Sequence, residues 1–193
     1  MSWLSSAELQ NMGFSGIGNN TFLSRKASYY NCKNISIGNN VRIDDFCVLS
    51  AGKGKIIIGD YIHIAVYSSL IGAGSITLDN YCNISSRVSI YSSNDDYSGN
   101  FMTNPTIPSE LKNVQHADVE IGQHVIVGSG SIILPGVILG EGVAIGALSL
   151  VTEECKPFGI YAGIPASFLK KRSTNILKLE EKLKKNHANF TYK

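Results

Sequence analysis

The chain has 193 residues, 44% hydrophobic and 17% charged, with a formal net charge of +2, enough for one domain with a sizeable core. So mild a charge balance, with basic residues scattered until the tail, excludes nucleic acid as the expected main partner. No apolar run reaches membrane-spanning length, and "MSWLSSAELQNMGF" has neither the basic nor the apolar region of a signal peptide, so the expectation is a cytoplasmic protein without a transmembrane segment.

In chain order, "SGIGNNTFLSRKASYY" from Ser15 is an irregular first coil of a repeat that becomes plain at Ile35. The blocks ISIGNN, VRIDDF, IIIGDY, IHIAVY, ITLDNY, CNISSR and VSIYSS follow, with longer blocks at Cys47–Lys55 and Ser68–Ser75. The third positions hold Ile37, Ile43, Leu49, Ile58, Ile64, Leu70, Leu78, Ile84 and Ile90, all aliphatic. Six residues suit a short strand and a tight turn, with Gly and Asn expected at the corners that need positive φ. Three such blocks make a triangular coil that is stable only when stacked on its neighbours. Cys47 and Cys82 fill small interior positions, and the four cysteines show neither CxxC pairing nor metal-ligand spacing.

At "IYSSNDDYSG" the period breaks, and residues 94–118 form an inserted loop. An excursion between repeats costs little closure entropy, so function can be placed there without disturbing the scaffold. The loop's Asn94, Tyr97, Phe101 and Asn104 offer aromatic faces and amides suited to a sugar ring. The period resumes at VEIGQH with the aliphatic positions Ile121, Val127, Ile133, Leu139, Ile145 and Val151. The outward positions Ile126, Ile132, Ile138, Ala144 and Leu150 are apolar and call for a partner subunit. From Ser167 to about Asn186 the spacing of Leu169, Ile176, Leu179 and Leu183 predicts a capping helix.

These repeats, with "VEIGQHVIVGSGSIILPGVILGEGVAIGALSLVTEE" followed by "IYAGIPASFLKKR", resemble the hexapeptide-repeat acyltransferases, nearest the maltose, galactoside and bacterial polysaccharide sugar acetyltransferases. The resemblance implies an all-β left-handed parallel β-helix over residues 1–166, a helical tail over 167–193, a homotrimer, and acetyl-coenzyme A as co-substrate without a metal. It implies a donor groove lined by Gly128, Gly146, Ala147 and Thr152, with Gly163, Pro165 and Ala166 at the terminal turn. Lys170, Lys171 and Arg172 would meet the coenzyme's phosphates.

Where that branch carries a loop histidine this chain has Asp95 and Asp96, two carboxylates that can raise one another's proton affinity. His63 occupies an outward position between Arg42 and Asn83, at a place where some sugar N-acetyltransferases of this fold carry a histidine, and ranks above His116 and His124; His187 in the tail ranks last. The expected reaction is O-acetylation of a sugar in cell-surface polysaccharide or lipopolysaccharide biosynthesis. The alternative is N-acetylation of a nucleotide-linked amino sugar. A zinc carbonic anhydrase would need three converging histidines, and a non-catalytic scaffold would leave the polar loop unexplained.

Overall fold

A computed structural model describes residues 3–186; His187 and the rest of the tail lie outside them. Three sheets of parallel strands form the walls of a solenoid. The first wall stacks Gly16–Ile17, Ile35–Ile37, Ile56–Ile58, Ile76–Leu78, Val119–Ile121 and Ile138–Leu139. The second stacks Phe22–Leu23, Arg42–Ile43, His63–Ile64, Asn83–Ile84, Ile126–Val127 and Ala144–Ile145, then Gly159–Gly163. The third stacks Ser28–Tyr30, Val48–Ala51, Ser69–Gly72, Ser89–Tyr91, Ile132–Ile133 and Leu150–Val151. The irregular first coil expected from Ser15 is thus present.

Register follows the repeat. On the second wall Leu23, Ile43, Ile64, Ile84, Val127, Ile145 and Tyr161 lie one above another. Every predicted third-position aliphatic is buried, each contributing about 1.5–3 kcal/mol of transfer free energy. Cys47 and Cys82 are buried among them, and burial pushes the Cys82 thiol up to about 12, so it stays protonated. At the N-terminal end the helix Ser6–Asn11, closed by a capping box between Ser5 and Glu8, covers the first coil with Leu9.

Glycine and asparagine take some of the positive-φ corners, as expected, and larger residues take the others. At the corner between the first and second walls positive φ is taken by Asn20, Asn40, Tyr61, Tyr81, His124 and Gly142, and at the next corner by Phe46, Tyr67, Arg87, Gly130 and Leu148. The fourth-position glycines instead allow the coils to approach. A Cβ on Gly38 would lie 2.6 Å from the Gly59 carbonyl oxygen, and one on Gly128 2.5 Å from the Ala147 nitrogen.

At the loop, Ser93–Asn94 pairs antiparallel with Gln115–His116, and the Ala117 amide donates to the Ser92 carbonyl at 3.1 Å. Val119 then resumes pairing with Ile76, so the wall continues as if the loop were absent. The outward residues do not make one row: Ile138 faces out of the first wall, Ile126 and Ala144 out of the second, and Ile132 and Leu150 out of the third. A coil returns to each wall only every third block, so consecutive second positions circle the molecule.

The tail also departs from expectation. Ala166–Lys171 is a strand, paired antiparallel with Gly159–Gly163, and the helix is Asn175–Asn186. Gly163 turns the hairpin at φ +110°. Leu169 is therefore exposed on an edge strand, and the helix turns Ile176, Leu177, Glu180 and Leu183 inward while Leu179 faces solvent.

Candidate active site

His63 sits outward on the second wall, in register with Arg42 below and Asn83 above, as the repeat requires. Its Nε2 lies 2.8 Å from Asp44 Oδ2, and the other oxygen of Asp44 accepts from Arg42 Nε at 2.7 Å. The Asp44 side chain is only 12% exposed against 41% for His63, so a buried carboxylate orients a reachable imidazole. The Arg42 guanidinium lies over the Trp3 ring at 5.5 Å. Asp44 is not among the residues singled out from the sequence; its signal is its place two residues after an outward arginine, in the coil beneath His63.

The loop stands elsewhere, at the corner between the third and first walls, so one chain does not bring Asp95 and His63 onto the same wall. Asp95 is exposed. Asp96 accepts from the Ser98 hydroxyl at 2.7 Å and its amide at 2.9 Å, which holds its carboxyl below the usual carboxylate range. The raised proton affinity expected of this pair is thus contradicted at Asp96, because a turn stabilises the ionised form. Asn104 is likewise a turn residue, accepting from the Thr106 amide at 3.0 Å. Asn94 and Tyr97 are exposed, Tyr97 at 86%.

His116 belongs to the loop neck, its Nδ1 2.8 Å from the Ser93 hydroxyl. His124 is a buried corner residue at φ +61°, stacked on Tyr81 at 4.9 Å. Its Nε2 is 2.7 Å from Glu180 Oε2. His63, His116 and His124 thus occupy a wall, the loop and a corner. Among the described residues no group of three or more His, Cys, Asp or Glu side chains is placed to hold a metal, and no helix is long and apolar enough to cross a membrane.

Most of the donor-side candidates converge. Gly128 and Gly146 stack at the corner between the second and third walls with Ala147, and a Cβ on Gly146 would meet Ala162 Cβ at 2.8 Å. The buried Ser149 hydroxyl donates to the Gly146 carbonyl at 2.8 Å and accepts from the Gly163 amide at 3.2 Å, tying the hairpin tip to this corner. Gly163 and Pro165 are exposed there beside Ile164, and Thr152 is exposed after the last strand of the third wall. Lys170 and Lys171 project from the far end of the edge strand, opposite Ile160 and Gly159 and away from the tip.

Arg172 does not join the donor-side corner either. Its Nη1 donates at 2.9 Å to the carbonyls of His124 and Gly142, at the opposite corner, and burial holds its pKa below the usual arginine value. A guanidinium committed to backbone is a structural anchor, not the phosphate ligand expected. A cavity of about 740 Å³ lined by Leu4, Leu9, Phe14 and Ile17 lies at the other end of the stack.

Residues 118–153 match the bacterial transferase hexapeptide (six repeats) family. The chain is 60% identical over 184 residues to the dTDP-4-amino-4,6-dideoxy-D-glucose acyltransferase of Escherichia coli, covering 95% of this chain and 96% of that one. It is 32% identical over 144 residues to WbbJ of Escherichia coli K12, a putative lipopolysaccharide biosynthesis O-acetyl transferase, covering 72% and 69% respectively. Among solved structures it superimposes on AntD, an N-acyltransferase from Bacillus cereus in complex with dTDP and 3-hydroxybutyryl-CoA. That match has a TM-score of 0.91 and 47% identity, covering 97% of this chain and 99% of that one. With the hexapeptide walls continuous and the likeness running nearly end to end, the chain belongs to the hexapeptide-repeat sugar acyltransferases.

Proposed function

We propose that the protein transfers an acyl group from coenzyme A to the amine of a dTDP-linked 4-amino-4,6-dideoxyhexose. The observation that carries this reading is the 60% identity, over 95% of the chain, to an acyltransferase of that sugar. AntD, solved with dTDP and an acyl-coenzyme A, supports the same acceptor and donor classes. O-acetylation, the first expectation from sequence, has the weaker support of the 32% relative.

An amine acceptor also accounts for the missing loop histidine, because nitrogen is nucleophilic enough to need less help from a base than a hydroxyl. Near neutral pH the acceptor is largely an ammonium ion, which the exposed carboxylate of Asp95 suits by charge. After this ammonium gives one proton to solvent, the amine nitrogen attacks the thioester carbonyl carbon. The C–N bond forms, backbone N–H groups hold the oxyanion, and His63, oriented by Asp44, takes the second proton. The C–S bond then breaks with its electron pair going to sulfur, and the thiolate takes the proton from His63 to free coenzyme A and return the imidazole to its neutral form. His63 and Asp95 meet when the loop of one subunit of a cytoplasmic homotrimer lies against the second wall of the next, with Asn83, Asn94 and Tyr97 contacting the sugar. The donor arm runs past Gly128, Gly146, Ala147, Thr152, Gly163 and Pro165, with Lys170 toward the phosphates. Cell-surface polysaccharide assembly is the pathway this product would serve.

The test is thiol release from acetyl-, 3-hydroxybutyryl- and longer acyl-coenzyme A against dTDP-4-amino-4,6-dideoxyglucose and hydroxyl-bearing sugars. Turnover with the amine is expected; turnover only with hydroxyl acceptors would return the reading to O-acylation.

A further inference from the structure

The C-terminal hairpin crosses the top of the second wall. Its tip, at Gly163, is tied to the donor-side corner through Ser149, and its far end, at Arg172, reaches the opposite corner. There the C-terminal segment takes hold of one residue twice. Arg172 Nη1 bonds the His124 carbonyl at 2.9 Å, and eight positions later Glu180 meets the His124 ring at 2.7 Å. The side chains of His124 and Glu180 are 3% and 9% exposed, and Glu180 also receives Gln123 Nε2 at 3.2 Å and Lys184 Nζ at 2.5 Å. Tyr81 stacks on the ring of His124, with Tyr61 stacked in turn on Tyr81, so the anchor rests on a column two coils deep.

We infer that His124, gripped at its carbonyl by Arg172 and at its ring by Glu180, is a positioning residue that sets the seat of the donor-side hairpin. It touches neither donor nor acceptor. A buried polar pair of this kind is costly to break, since either partner left alone would be desolvated and unsatisfied. The hairpin therefore has one seat while the pair is intact. Without it, the far end of the hairpin keeps its ladder to Gly159–Gly163 and the Arg172 bonds to backbone, but the His124 ring beneath them is no longer fixed and the helix that follows loses its hold on the corner. The inference rests on the proposed reading in one respect, that the donor passes the hairpin tip.

The experiment compares Glu180→Ala and Glu180→Gln with the unmodified full-length protein, measuring KM for acyl-coenzyme A, KM for the amino sugar, kcat, and amide exchange across Gly159–Lys171. Glu180→Ala is expected to raise donor KM about fivefold, with kcat and acceptor KM within about twofold, and to speed exchange in Ala166–Lys171. Glu180→Gln, which keeps an acceptor for His124, is expected to restore most of both. Unchanged donor KM, or kcat and both KM values worsening together, would overturn the inference. If the unmodified protein acylates no amine, the functional reading fails on its own. The exchange arm then judges the anchor, and hairpin amides unaffected by Glu180→Ala would overturn it.

Discussion

At the scale of single residues, spacing along the chain and contact across coils carry different information. The buried aliphatics were legible because each obeys a local period, and so was the outward aspect of His63. Asp44, Ser149 and Glu180 were not, because their partners lie 19, 14 and 56 positions away in sequence. The glycines give a sharp test. Gly128→Ala would place a Cβ 2.5 Å from backbone and is expected to destabilise by about 1–3 kcal/mol in urea unfolding. Gly16→Ala, whose nearest neighbour would be 3.9 Å away, should be nearly neutral. The two loop aspartates should separate likewise. Asp95→Asn is expected to lower kcat about 100-fold. Asp96→Asn, which keeps an acceptor oxygen for the Ser98 turn, should change acylation kinetics little; equal losses at both would contradict the assignment.

At the scale of elements, the repeat made the walls predictable because each strand satisfies its backbone groups on the coils above and below, wherever the corners fall. The hairpin broke that logic. Ala166–Lys171 has a partner on one side only, so its apolar residues face solvent, and their spacing relative to Ile176 mimics a helical stripe. The signal available was "AGIPA", a Gly–Pro turn that belongs between two strands. The helix Asn175–Asn186 depends on Glu180, whose burial alone would raise its carboxyl pKa. Hydrogen bonds from Lys184 and His124 outweigh that, and hold it below the ordinary value. A lowered carboxyl contributes stability that is present above its unfolded pKa, near 4.3, and is lost as pH falls through the lowered folded value. Amide protection of this helix is therefore expected to hold at neutral pH and to fall on acidification below about pH 4. Glu180→Gln should flatten that fall; an unchanged acid response would show that other groups hold the helix.

At the scale of the whole molecule, the walls place the two proposed halves of the chemistry apart. The dyad of His63 and Asp44 is on the second wall and Asp95 at the corner between the third and first, so the proposed chemistry needs neighbouring subunits. Mixed assemblies of His63→Ala and Asp95→Asn chains should regain part of the activity that each lacks alone, because some interfaces carry both native groups. Absence of recovery, with mixing verified by mass, would place the chemistry within one chain. Identification of the product formed from acyl-coenzyme A and dTDP-4-amino-4,6-dideoxyglucose decides between amide and ester. One added acyl group, stable to mild alkali as an amide on the C4 nitrogen, is expected. An alkali-labile ester, with the amine left free, would contradict N-acylation.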